Sequence, residues 1–110
     1  DNFKEVIVNV KEGDTQLTLK ELAPVRLVKN KFYNDVQELY AKCPTKEELV
    51  ALLGRARAKR GMFEGDLVEG ELEIGQIAGL INEIQPVKEI INTMIAEFKQ
   101  AQIEIGQLQF

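Results

Sequence analysis

The chain has 110 residues, a formal charge of −4, 45% hydrophobic and 29% charged residues, no His and one Cys. This composition is typical of one globular domain and argues against disorder. The residue counts exclude His-based triads, His metal sites, an internal disulfide and a Cys-rich zinc site. The acidic balance disfavours nucleic-acid partners. No apolar run approaches the roughly 20 residues that span a bilayer, and no signal peptide opens the chain. We therefore expect a cytoplasmic protein without membrane or nucleic-acid partners.

The first part of the chain predicts one short helix followed by a pair of strands. Apolar residues recur at helical spacing over 2–11, with Asp1 or Asn2 as the cap and Gly13 as the left-handed residue after the helix end. Alternating apolar residues on either side of Glu21–Pro24 predict two short strands that pair.

Two helices are predicted next. The first covers about 30–42, with Asn30 as a possible cap. Thr45 and Glu48 then form a capping box that opens a second helix. We expect this helix to contain Gly54, at some cost in stability, and to end at Gly61.

The last third of the chain predicts a loop and two more helices. The loop covers 62–70 and a helix begins near Glu71, with four residues facing inward: Ile74, Ile77, Ala78 and Ile81. Pro86 opens a final helix that runs to about Ala101, with an apolar stripe formed by Val87, Ile90, Ile91, Met94, Ile95 and Phe98. The tail 102–110 could continue this helix, dock on a partner or be irregular. The predicted fold is mainly α, with four to five helices and a possible two-stranded element.

Charged residues surround the glycine-rich loop. Five acids lie in or beside it: Glu64, Asp66, Glu69, Glu71 and Glu73. They could bind a cation or act in acid–base chemistry. A solvated loop whose carboxylates complement the dipole of the next helix is the favoured interpretation. The basic run Arg55–Arg60 could contact phosphate. Interaction with the C-terminus of the helix that carries the run, and with the acids that follow Gly61, is favoured, because the domain is acidic and the run contains no aromatic residues.

Three further features allow two interpretations each. Cys43 shares the stripe of the preceding helix and is expected to be a buried, inert thiol rather than a nucleophile. Gly75 and Gly79, four residues apart on a predicted helix, would form a groove for either a packed helix or a ligand, with Gln76 beside it. The stripe over 87–98 is expected to be core, although it could bind a partner helix or a membrane surface.

Three stretches of the chain resemble the C-terminal region of the flavin-dependent nitronate monooxygenases, formerly called 2-nitropropane dioxygenases. Residues 63–70 read FEGDLVEG and residues 75–81 read GQIAGLI, which resemble the family's EGD-x-x-x-G and GQ-x-AGL-x segments. Residues 24–32 read PVRLVKNKF, which is similar to P-x-R-x-x-K-N-x-F. The family is related to enoyl-acyl carrier protein reductase II.

The resemblance implies a segment of a larger FMN-binding α/β (TIM) barrel oxidoreductase. Residues from about 1 to 20 would belong to the final barrel helix region, and about 25–101 to a helical lid that covers the flavin and substrate pocket. The flavin-phosphate loops and a catalytic histidine would lie upstream, with which the absence of His from this chain agrees. We therefore expect no flavin binding, no catalytic residue and no activity in the isolated chain.

Only Gly75 and Gln76 are carried over from the resemblance, as residues adjacent to the pocket. Where relatives often have Met-Ala before Gly-Gln, this chain has Glu73 and Ile74, which implies a different substrate preference. The apolar helix faces are expected to contact the rest of the barrel or a second copy. The alternative function is an independent helical protein-interaction module without enzymatic activity.

Overall fold

The computed structural model describes residues 2–110. The described residues form five α-helices, one short 3-10 helix and a two-stranded sheet, which confirms the predicted mainly helical class. The bounds are α1 (Asn2–Asn9), β1 (Thr15–Thr18), β2 (Val25–Val28), α2 (Lys31–Tyr40), α3 (Lys46–Leu53), α4 (Arg57–Met62), the 3-10 helix (Gln76–Leu80) and α5 (Val87–Gly106).

The N-terminal helix and the hairpin follow the sequence prediction. Asn2 is the first residue of α1, and the predicted cap at Asp1 lies outside the described residues. Gly13 adopts a φ of +86°, as expected of a left-handed residue in the turn beyond the helix. Strands β1 and β2 pair in antiparallel register, from Thr15 opposite Val28 to Thr18 opposite Val25.

The segment after Gly70 runs along β2 in an extended conformation, and the prediction of a helix from Glu71 is wrong. The Val28 amide donates to the Leu72 carbonyl, and the Ile74 amide donates to the Arg26 carbonyl, each at 3.0 Å. The free edge of β2 satisfies this backbone, so tertiary pairing overrides the helical pattern. Of the four residues predicted to face inward, Ala78 is buried, Ile74 is half-buried, and two are exposed: Ile77 and Ile81.

Helix α2 supplies the centre of the core. Asn30 caps it as predicted, because its side-chain oxygen accepts a hydrogen bond from the Tyr33 amide. Phe32 and Val36 on its inner face are completely buried between the hairpin and α3. The remaining members of this cluster come from both neighbouring elements: Leu19, Leu27 and Leu49.

The helix predicted over 45–61 is divided into α3 and α4. The capping box is confirmed, with the Glu48 amide donating to Thr45 Oγ1 and the Thr45 amide donating to the Glu48 carboxylate. Gly54 does not lie inside a helix, because it adopts a φ of +66° and ends α3. Gly61 does not end a helix, because it is buried inside α4.

We expect Thr45→Ala to destabilise the protein by about 1 kcal/mol, because the substitution removes the side-chain acceptor for the first turn of α3. Thermal unfolding followed by circular dichroism measures the change. Thr45→Ser, which retains the hydroxyl acceptor, is the control and should remain near the parent. Equal losses for both variants would contradict a capping role.

Two more predictions about helical stripes are wrong. Cys43 is exposed rather than buried, because α2 ends at Tyr40 and Cys43 lies beyond it with a φ of +53°. The final helix does not stop near Ala101 but continues to Gly106, and none of its residues is buried. Its stripe is therefore not part of the core formed by residues 2–110. In this range no helix is long and apolar enough to span a membrane.

Candidate functional site

Two of the sequence stretches that carry the resemblance lie against each other, and we call their contact region, residues 24–32 with 63–74, the junction. Asn30 connects them, because its side-chain amide donates to the carbonyls of Leu67 at 3.0 Å and Gly70 at 2.8 Å. The Phe32 amide donates to the carbonyl of Val68 at 3.2 Å. The same Asn30 side chain therefore caps α2 and holds the glycine-rich loop.

Asp66 organises that loop from within. Its carboxylate accepts hydrogen bonds from the amides of Val68 at 3.1 Å and Glu69 at 2.9 Å, and from Arg60 Nε at 2.6 Å. These contacts, the Glu69 amide first among them, lower the pKa of Asp66 below its ordinary value of 3.8. The ionised Asp66 carboxylate therefore has a structural role, because it closes the turn. Its lowered pKa makes it unsuited to proton transfer.

A close backbone approach fixes the position of the loop against α4. A Cβ atom added to Gly61 would lie 2.7 Å from the Glu71 carbonyl oxygen and 2.8 Å from Leu72 Cδ2. A Cβ atom added to Gly70 would overlap the Gly61 backbone and the Asp66 carbonyl. Both positions therefore require glycine for space, which gives the two glycines a packing function.

The Arg57 side chain contacts α3, the glycine-rich loop and α2. Its guanidinium donates to the carbonyls of Leu53 at 2.7 Å, Leu52 at 2.9 Å and Glu69 at 2.7 Å, and lies 4.5 Å from the centre of the Phe32 ring. Two of these acceptors belong to the last turn of α3, where carbonyls lack helical partners. The run was predicted to lie in the last turns of a single helix ending at Gly61, whereas Arg57 begins α4 and donates to the end of the preceding helix.

Two of the three remaining charges of the run make the predicted contacts with the following acids. Arg60 pairs with Asp66 at 2.6 Å and Lys59 with Glu64 at 3.5 Å. Residues 2–110 contain no cluster of three or more residues that could hold a metal ion. Glu64 and Asp66 form ion pairs. The predicted dipole complementation by Glu71 and Glu73 is wrong, because no helix begins there, and Glu71 is buried rather than solvated.

Glu71 is a buried carboxyl group, 6% exposed. Burial is the main cause that raises its pKa above the ordinary 4.5; Glu73 raises it further and Arg57 opposes the shift. The folded state therefore holds this proton more tightly than the unfolded chain does. Its contribution to stability is fully present below pH 4.5 and is lost as pH rises through the higher pKa of the folded state.

We accordingly expect Glu71→Gln to raise the unfolding temperature at pH 7, because it removes the cost of a buried charge. The advantage over the parent should shrink as the pH falls towards 4, where the native carboxyl group is protonated. Calorimetry at both values measures the difference. The exposed Glu64→Gln in the same loop is the control and should shift the unfolding temperature much less. A pH-independent advantage would contradict the assignment.

The structure places Gly75 and Gln76 on an exposed turn at the end of the junction. Gly75 is extended and precedes the 3-10 helix. Gly79 packs near the backbone of Lys11 and Glu12, with its added Cβ at 3.6 Å from the Glu12 amide nitrogen. Because no α-helix carries both glycines, the predicted glycine groove is wrong. The short 3-10 geometry instead exposes Ile77 and Leu80, which are 64% and 74% accessible.

The turn is an open surface rather than a complete site. Gln76 is exposed and can present both an amide donor and an acceptor. Residues 71–74, which precede it, are fixed by hydrogen bonds to β2. The turn is open to solvent, so this part of the chain does not by itself enclose a group the size of a flavin. Any such ligand requires further protein surface opposite the turn.

Sequence reasoning missed the bond from Arg57 to the loop, the close packing of Gly61 and the second function of the Asn30 side chain. A signal was present for Asn30, which lies inside one of the stretches that carry the resemblance. Gly61 gave no local signal for its close approach, because Glu71 and Leu72 lie ten and eleven residues away. The bond from Arg57 to the loop likewise spans twelve residues. These residues build the junction and do not reach the turn.

Comparison with solved structures identifies a similar protein. The chain is 36% identical to FabK from Thermotoga maritima, with a TM-score of 0.77, and the match covers 94% of this chain and 33% of FabK. A point mutant of the same protein gives 34% identity, a TM-score of 0.72, and coverages of 94% and 30%. The chain thus spans about a third of the solved structures that it resembles. No protein-family model and no curated protein matches it.

Proposed function

We propose that this chain is the C-terminal segment of an FMN-dependent barrel oxidoreductase of the nitronate monooxygenase and enoyl reductase type. The similarity to FabK over 94% of the chain, at 36% identity, is the observation that carries the proposal. In the whole enzyme this segment covers the flavin and substrate pocket. FMN, when bound, supplies the redox chemistry, and the segment positions substrate and excludes water.

The geometry of the junction supports a positioning role for the turn. Functional residues are commonly found on loops that a rigid scaffold holds in place. Here the scaffold is β2, which binds the backbone of residues 71–74 immediately before Gly75. The exposed Gln76 amide is the group that would bind a polar atom of the substrate or the flavin. Ile77 and Leu80, exposed in this chain, would form the apolar part of the same surface.

The position before the turn bears on the substrate class. The resemblance implies Met-Ala where this chain has Glu73 and Ile74, and Glu73 is exposed next to the turn. A carboxylate at that position favours a substrate with a polar or cationic group near its reacting carbon over an anionic nitronate. We therefore propose that the substrate preference differs from that of the nitronate and enoyl-thioester enzymes, with an anionic group disfavoured beside Glu73.

A chimera tests the proposal. The matching third of Thermotoga maritima FabK is replaced by this chain, and flavin content and turnover are measured. We expect the chimera to retain flavin and activity. Gln76→Ala should lower kcat/KM about tenfold without loss of flavin, while Gln102→Ala, an exposed glutamine on α5, should leave kcat/KM unchanged.

Three results would contradict the proposal. A folded chimera that binds flavin but is inactive would remove the covering role. Equal effects of the two glutamine substitutions would remove the role of Gln76. Flavin bound by the isolated 110-residue chain would show that the chain is not merely one wall of a pocket.

A further inference from the structure

Asn30 extends the hydrogen-bond ladder between β2 and residues 68–74 beyond the end of the strand. Four hydrogen bonds join the two segments at every second residue, in antiparallel order: Arg26 with Ile74, Val28 with Leu72, Asn30 with Gly70, and Phe32 with Val68. Backbone groups form three of these bonds. The remaining bond, to the Gly70 carbonyl, comes from the side-chain amide of Asn30. One side chain thus continues the register that the strand begins.

The side chain takes this place because the Asn30 backbone belongs to the start of α2. The Asn30 carbonyl accepts a hydrogen bond from the Asn34 amide at 3.0 Å, and its side-chain oxygen accepts one from the Tyr33 amide at 3.0 Å. An asparagine side chain has an acceptor oxygen and two N–H donors, so Asn30 caps the helix and binds the loop at once. Aspartate caps a helix as well as asparagine does, but it has no donor when it is ionised.

The second bond of Asn30 joins the ladder to the turn of the glycine-rich loop. It runs to the Leu67 carbonyl at 3.0 Å, and the Gly70 amide closes the same turn on the Asp66 carbonyl at 3.1 Å. The Asp66 carboxylate accepts hydrogen bonds from two further amides of the turn. The turn is therefore held by several bonds and has little slack with which to absorb a shift of residues 71–74.

Gly70 restricts the same register independently of its hydrogen bond. A Cβ atom added at this position would overlap the Gly61 backbone, so the residue that pairs with Asn30 must be glycine. Its neighbours Glu69 and Glu71 both carry side chains. A shift of one residue in either direction would bring one of them into this contact. Asn30 by hydrogen bonding and Gly61 by close packing therefore favour the same position of Gly70.

The register determines which side chains precede the exposed turn and where the turn lies. In the observed register Leu72 is 2% exposed, whereas Glu73 is exposed. A shift of one residue would exchange the faces on which these two side chains lie. A shift of two residues would preserve the faces but would move Gly75 and Gln76 by about 7 Å along β2. Either shift would displace Gln76.

We propose that Asn30 is a positioning residue: its two amide hydrogen bonds fix the register of residues 68–74 on β2 and thereby place Gln76. The inference rests on the proposed function, in which the Gln76 amide binds a polar atom of the substrate or the flavin. Asn30 binds Leu67 and Gly70 rather than the exposed turn itself, so its effect on the reaction passes through the ladder. A substitution of Asn30 should therefore lower turnover only as long as Gln76 is present to be displaced.

NMR spectroscopy of the 110-residue chain tests the register. Leu27 and Glu73 form an antiparallel bridge pair of the kind whose Cα atoms lie about 4.5 Å apart, so their α-protons should give a strong nuclear Overhauser contact. Asn30→Asp retains a cap for α2 but removes both donors to the loop. We expect the contact between Leu27 and Glu73 to be lost in this variant, while the amide contacts within α2 remain.

Asn34→Asp is the matched control, because it places the same charge at an exposed position in the first turn of α2. It should retain the contact between Leu27 and Glu73. Asn30→Ser keeps a cap oxygen without placing a charge beside the loop carbonyls, and it takes the place of Asn30→Asp if that variant does not fold. A folded Asn30 variant that keeps the contact, or a control that loses it, would overturn the proposal.

A double-mutant cycle in the FabK chimera tests whether Asn30 acts through Gln76. Asn30→Asp should lower kcat/KM about tenfold while the flavin content is retained. In a Gln76→Ala background the same substitution should change kcat/KM by less than about twofold, because the residue that it positions is already absent. Effects that multiply would indicate a merely structural role and would overturn the positioning role. The spectra need neither flavin nor substrate, so a wrong register is distinguishable from an inactive chimera, which contradicts the proposed function instead.

Discussion

Gly61→Ala is expected to destabilise the protein by about 2–3 kcal/mol, although alanine is the better helix former. Gly61 lies inside α4, so propensity alone predicts a gain of about 1 kcal/mol. Packing reverses the sign, because the added Cβ would lie 2.7 Å from the Glu71 carbonyl oxygen. That oxygen belongs to a backbone held against β2 and cannot move freely. Urea unfolding of both proteins measures the difference.

Gly106→Ala is the matched control for this prediction. Gly106 is also a helical residue, the last of α5, and an added Cβ meets no atom within 4 Å. It should be neutral or slightly stabilising, as propensity predicts. If Gly61→Ala were stabilising as well, the close approach between α4 and the junction would be wrong.

Arg57→Met is expected to lower stability by about 3 kcal/mol. The guanidinium donates to three backbone carbonyls, and its removal leaves them without that donor in a half-buried site. It also removes the cation above Phe32 and the positive charge that opposes the raised pKa of Glu71. Methionine retains much of the apolar volume, so the loss reports chiefly on the polar contacts. Chemical denaturation monitored by far-UV circular dichroism gives the value.

Two further variants separate charge from geometry. Arg57→Lys retains the charge but presents a single point donor instead of a planar fork, so we expect an intermediate loss. Arg55→Met, two residues earlier at an exposed position, should change stability by less than about 0.5 kcal/mol. If Arg57→Met and Arg55→Met had equal effects, the hydrogen bonds of Arg57 would contribute nothing measurable.

Elements with local signals are those that the sequence predicted well. The capping box of Thr45 with Glu48 and the Asn30 cap depend on residues three positions apart, and both are confirmed. The hairpin depends on alternation across a short turn, and it too is confirmed. In each case the partners that satisfy the backbone are near in sequence, so a pattern can reveal them.

Elements that depend on distant partners were missed. Residues 71–74 carry a helical pattern, but the free edge of β2 lies more than 40 residues earlier and captures their backbone. The α5 stripe was correctly identified as amphipathic. Its exposure could not be deduced, because burial depends on what surrounds the helix and not on its own spacing.

In the candidate site, too, features with local signals were predicted better than features that depend on distant partners. Gly75 and Gln76 were selected by resemblance, and the pocket role assigned to them stays a prediction. The supposed helical groove with Gly79 failed because it assumed an α-helix where the chain forms a 3-10 helix. The junction behind the turn was only partly foreseeable, since Asn30 joins segments 37 and 40 residues apart.

Buried residues are unevenly distributed along the chain, so its backbone amides should fall into two groups that differ in protection from hydrogen exchange. Buried apolar side chains occur from Val10 to Ala78, whereas α5 has none. In a single copy, the amides of α2 and β2 can exchange with deuterium only when most of the protein opens, while those of α5 exchange through helix fraying alone. Mass spectrometry of exchanged peptides would therefore trace the boundary between a cooperative unit and an appended helix, near Pro86.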